Sequence, residues 1–76
     1  MKKMIKLPVM TEPGGTPEEK MLNIFELAHI ESKYFEEVKK EICILNFFTE
    51  KKEKSVLYTH LTIDELMPIL NGTDVN

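Results

Sequence analysis

The chain has no arginine, one cysteine, three glycines and no long apolar run, and each scarcity removes a class of function. All ten of its basic side chains other than histidine are lysines. Bidentate reading of a guanine edge or a carboxylate relies on the planar guanidinium fork, so sequence-specific binding of nucleic acid is not expected. A formal net charge of −3 points the same way. The lone cysteine, Cys43, cannot form an internal disulfide. A short chain without such staples fits a reducing compartment, and a cytoplasmic location is expected. No segment reaches the ~18 apolar residues of a membrane-spanning helix, so no membrane is expected as a partner. The stretch MKKMIKLPVM carries the charge of a secretory leader, but Lys6 and Pro8 interrupt its apolar part before it reaches ~7 residues.

Reactive constellations are scarce as well. His29 and His60 are the two histidines, the residue type that titrates nearest neutral pH. No nucleophile or second base stands at a fixed spacing from either, so both are read as structural residues. A small enzyme using His60 or His29 is the alternative. Cys43 lies in the most apolar run, where burial suppresses thiolate chemistry. One cysteine and two histidines without CxxC, HxxxH or HExxH spacing do not make a zinc set, and neither a metal nor a cofactor is expected. The pair Gly14-Gly15 lacks the strand, lysine and helix of a phosphate loop and reads as a flexible turn. Glu36-Glu37 beside Lys39-Lys40 reads as a solvated face. Lys51, Lys52 and Lys54, interrupted by Glu50 and Glu53, read as a solvated hairpin tip.

What is present describes one small folded domain, residues 1–76, with 71–76 as a frayed tail. At 76 residues, 42% hydrophobic and 30% charged, it is too apolar for disorder and buries only ~60–65% of its unfolded surface. ICILNFF at 42–48 has apolar side chains on both alternating faces, as a doubly covered central strand does. VLYTHL follows after the charged connection TEKKEKS, and the two runs predict a β-hairpin. Leu57 and Leu61 share one face of the second strand, and Val56, Tyr58 and His60 the other. No glycine, asparagine or aspartate sits in the connection, so a longer flexible tip is expected in place of a tight two-residue turn.

Thr62 and Glu65 then form a capping box, with Leu61 and Leu66 as a hydrophobic staple. Ile63, Leu66, Met67 and Leu70 make an apolar helical stripe, interrupted by Pro68. The predicted helix is short or kinked and ends before Gly72. The N-terminal half supports two readings. Thr16-Pro17-Glu18-Glu19 is a good helix start, and polar residues recur with helical spacing through Lys40. That reading gives a β-α-β-β-α order with a long helix at about 17–40. Its rival makes Met4 to Met10 a strand, TEPGGTPEE a loop, and Met21 to Ser32 two short strands joined by a bend.

The segment LNIFELAHIES, with its polar bend and the pair Ile30-Glu31, precedes the hairpin ICILNFF and SVLYTHL and the helix start LTIDEL. This order resembles the small FlbD-type proteins of flagellar operons and the first half of the LytTR-type DNA-binding domain, over about two-thirds of the chain. The resemblance lies in hydrophobic positions. It implies an extended segment at 21–32, and an accessory or regulatory role without catalysis. The ten residues TEPGGTPEEK replace the short glycine turn of the FlbD-type pattern. The later hairpin lacks its glycine, and without arginine the DNA-binding role of LytTR-type domains is carried to no residue.

The expected fold is therefore α+β, a small antiparallel sheet or open barrel of about five short strands with one C-terminal helix. The expected function is non-enzymatic, a protein-interaction or accessory module, with a LytTR-like nucleic-acid-binding regulatory module or the small enzyme using His60 or His29 as the alternatives. Its partner is a protein or a second copy in a homodimer. Phe25, Phe35, Phe47, Phe48 and five methionines are more apolar surface than so small a domain readily buries alone. Tyr58, Thr59, His60, Phe48, Lys51 and Lys52 form the expected interaction surface.

Overall fold

The computed structural model describes residues 3–72. It contains five strands, β1 (Met4–Val9), β2 (Glu18–Asn23), β3 (Leu27–Phe35), β4 (Lys40–Phe48) and β5 (Lys54–Thr59), and one helix, α1 (Ile63–Gly72). β1 and β2 form an antiparallel hairpin, while β3, β4 and β5 form an antiparallel meander with β4 in the centre. The α+β class and the five strands match the sequence reading. The strands make two sheets, and no closed barrel is formed.

The long helix at 17–40 is overturned. That segment is β2, a single 3-10 turn at Ile24–Glu26, and β3. Its helical polar spacing has a physical origin in edge position. Among the described residues β2 pairs on one side only, with β1, and keeps Glu18 to Met21 exposed; β3 pairs only with β4, and just Leu27, Ile30 and Phe35 are half-buried. Strands held by a backbone ladder need few core residues, so local propensity loses to pairing and the two-residue period fades. The 3-10 turn is capped by Asn23, whose Oδ1 accepts from the Phe25 N–H at 3.1 Å.

The core forms between alternating residues of the two sheets. Ile5, Leu7 and Val9 of β1 meet Cys43, Leu45 and Phe47 of β4, and Leu66 closes the cluster from α1. The covering of β4 is uneven, contrary to the doubly buried reading. Ile42 is buried on the outer face, but Ile44 and Asn46 are half-exposed there and Phe48 is exposed.

The capping box is present: Thr62 N–H donates to Glu65 Oε1 at 2.9 Å, and Glu65 N–H to Thr62 Oγ1 at 3.2 Å. Leu61 packs on the cluster that holds Leu66, as the staple requires. The apolar stripe is narrower than expected. Leu66 is fully buried and Leu70 half-buried, whereas Ile63 and Met67 are exposed. α1 runs through Pro68 and includes Gly72, one residue beyond the predicted end. Of the expected frayed tail at 71–76, residues 73–76 lie outside the described residues.

Candidate functional site

Lys40 and Ile42 alternate onto the outer face of the meander at the start of β4. The pairing of Cys43 with Thr59, continued by one residue, sets His60 beside Ile42. Two irregular segments rise around this spot. One is the turn between β3 and β4, in which the Phe35 carbonyl accepts from the N–H groups of Val38 at 3.3 Å and Lys39 at 2.8 Å, with Lys39 left-handed at φ 55°. The other is the loop after β1, folded by a bond from the Gly15 N–H to the Glu12 carbonyl at 3.0 Å.

These two segments touch. Gly14 has φ +83°, and a Cβ there would lie 2.6 Å from Val38 Cγ1. Only glycine satisfies both the left-handed backbone and the close approach. The Gly14-Gly15 pair is thus a fitted contact, and the expectation of a merely flexible turn is corrected.

Between them lies a cavity of about 530 Å³. Met10 and Ile42, both buried, contribute apolar lining together with Val38 and Pro17, and the glycine pair lines it as well. Its ionisable lining residues are Lys40 and His60, and no carboxylate is among the lining residues. The volume falls within the range of small-molecule sites. The structure therefore joins His60 to residues that the sequence treats as unrelated solvated or flexible features. Lys40 and Met10 carry no local signal of this role, because a long loop and a register bring them together.

The expected interaction residues separate. Thr59 is fully buried and presents no surface, which corrects its assignment. Its hydroxyl donates to the Pro8 carbonyl at 2.8 Å and accepts from the Leu61 N–H at 3.3 Å. Tyr58 exchanges backbone bonds with Met10, at 2.7 and 2.9 Å, and its ring meets Phe35 edge to face at 6.1 Å. Both residues thus have structural work, in joining the two sheets. Lys51 and Lys52 are exposed in the turn between β4 and β5, at the far end of β4 from His60. His29 is exposed on β3 with Nε2 3.8 Å from Glu31 Oε2, away from the cavity lining.

Cys43 is buried and unpaired. Burial pushes its thiol pKa up, the Glu41 carboxylate adds to this, and the Ser32 hydroxyl works against it. A thiol held in this way is a poor nucleophile.

Phe48 belongs to a second surface. Met4, Met21, Phe25 and Phe48 are 45%, 54%, 58% and 45% exposed. They line two adjoining depressions of about 230 and 480 Å³ that share Asn23, Glu26 and Thr49. The sequence named Phe48 as an interaction residue and counted Phe25 and the methionines as excess apolar surface, but it did not bring Met4, Met21 and Phe25 together with Phe48, a placement that depends on the 3-10 turn that replaces the helix. No protein-family model matches the chain, and neither does any curated protein or solved structure. Among the described residues no helix is long and apolar enough to cross a membrane.

Proposed function

We propose that the chain is a small non-enzymatic interaction module, an accessory or regulatory protein of the cytoplasm whose first partner is a second copy of itself. The observation that carries this reading is the surface of Met4, Met21, Phe25 and Phe48, four large apolar side chains each nearly half or more exposed. Methionine adapts to irregular partners, and phenylalanine contributes large buried area once covered. Beside them runs the outer edge of β2, which has no strand partner among the described residues. An edge strand pairs antiparallel with its own copy across a two-fold axis, so a single surface serves both halves of a homodimer. The FlbD-type order of features supports an accessory role without catalysis. A buried, unpaired Cys43 supports a reducing compartment.

Light scattering coupled to gel filtration tests this directly. The wild-type chain is expected at twice the monomer mass at tens of micromolar, and the variant Phe25→Ser, Phe48→Ser at the monomer mass with its fold intact. A wild-type monomer at every concentration would overturn self-association.

A further inference from the structure

The cavity beside His60 is independent of the apolar end of the molecule. Ile42 lines the cavity and Phe48 the apolar surface, and six residue steps along β4 separate them by roughly 20 Å. A ligand held there would be distinct from whatever covers the apolar end.

We infer that this cavity binds a small carboxylate with an apolar body, the carboxylate lying against Lys40 and His60 and the body against Met10, Val38 and Ile42. Charge selects the class. The chain has thirteen acidic residues against ten lysines, and Glu12, Glu36, Glu37 and Glu41 are all close in sequence to lining residues, yet none of them lines the cavity. Glu41 alternates to the opposite face, where its Oε1 accepts from Ser32 Oγ at 3.3 Å. An anion thus meets the Lys40 ammonium and, in His60, an imidazole that can donate a hydrogen bond, with no carboxylate among the lining residues. The lining also selects an apolar body, because Met10 and Ile42 are buried and Val38 and Pro17 offer no side-chain donor.

The walls are built to hold this shape. Gly14 on one side and Lys39 on the other both have positive φ, and Gly14 fits against Val38 with no room for a Cβ. Two sources supply such a ligand, a free medium-chain fatty acid and the C-terminal residue of a peptide. Their shared chemistry is a carboxylate on an apolar chain.

The test is a titration of the full chain, isotopically labelled, with octanoate and N-acetylleucine, each compared with its neutral amide. Saturable resonance shifts at Met10, Gly14, Gly15, Val38 and Ile42 are expected at roughly millimolar ligand. The carboxylate should bind about three- to fivefold tighter than its amide, the size of a solvent-accessible ion pair. Lys40→Gln and His60→Gln, both at exposed positions, should each keep a dispersed spectrum while reducing that preference. Binding of octanoate alone supports a fatty acid, and binding of N-acetylleucine alone supports a peptide terminus. Equal binding of acid and amide, unchanged affinity in both variants, or no saturable shift would overturn the inference. Phe25→Ser, Phe48→Ser should leave this titration unchanged, which separates failure of the cavity from failure of the dimer.

Discussion

Thr59 is the only polar side chain fully buried among the described residues, and its position explains why the strand carrying it is not purely apolar. β1 and β5 belong to different sheets, and among the described residues the main-chain bonds between these two parts of the chain run through Met10, just past the end of β1, and Tyr58. One step along β5, the Thr59 hydroxyl supplies the bond that the backbone ladder does not, to the carbonyl of Pro8. Proline has no N–H of its own, so this stretch of β1 depends on its carbonyls. Replacing Thr59 by valine keeps the volume but leaves the Pro8 carbonyl and the Leu61 N–H without their partner, a loss of about 1–2 kcal/mol. Thr59→Val should lower the urea midpoint of unfolding by roughly 1 M while the slope of the transition stays the same. None of this was legible locally, because donor and acceptor are 51 residues apart. The capping box was legible for the opposite reason: Thr62 and Glu65 are neighbours, and their bonds need only a helix start.

Among the elements, the hairpin of β4 and β5 was readable from alternation, whereas its turn was not. The expected flexible tip is an ordered three-residue loop, closed by bonds from the Lys52 N–H to the Thr49 carbonyl and from the Thr49 N–H to the Glu53 carbonyl, both 2.9 Å. Lys52 has φ 62° at the position such loops normally give to glycine. The turn between β3 and β4 repeats the device with Lys39. With lysine in place of glycine or asparagine, the sequence hides both turns, and the Glu36 to Lys40 segment passes for the face of a helix. A non-glycine residue in this region costs about 1–2 kcal/mol, partly offset because glycine loses more entropy on folding. Lys52→Gly should therefore stabilise the chain by about 0.5–1 kcal/mol, seen as a thermal midpoint roughly 3–6 °C higher. An unchanged or lower midpoint would mean that the lysine has a contact that offsets its backbone cost. Lys52 lies away from the cavity lining, so the substitution should leave carboxylate binding intact.

For the molecule as a whole, the decisive quantity is how little apolar surface one chain can hide. The core is one cluster between two sheets joined at Met10 and Tyr58, and α1 commits only Leu66 to full burial while Ile63, Met67 and Ile69 stay exposed. The helical stripe was legible, but its degree of burial was not, because burial depends on what the sheets offer beneath it. A domain of this length has a net stability of about 4–11 kcal/mol, so covering the Met4, Met21, Phe25 and Phe48 surface with a second copy would add an appreciable fraction. A dimer links that contribution to concentration by mass action: each tenfold increase adds about 1.4 kcal/mol per dimer, or roughly half of that per chain. The wild-type thermal midpoint should accordingly rise by roughly 3–5 °C per tenfold increase in protein concentration. In Phe25→Ser, Phe48→Ser the midpoint should be lower at high concentration and the same at every dilution. A wild-type midpoint independent of concentration, across the range in which light scattering reports a dimer, would show that the second copy adds nothing to the fold. The apolar end would then have to be kept for a different protein.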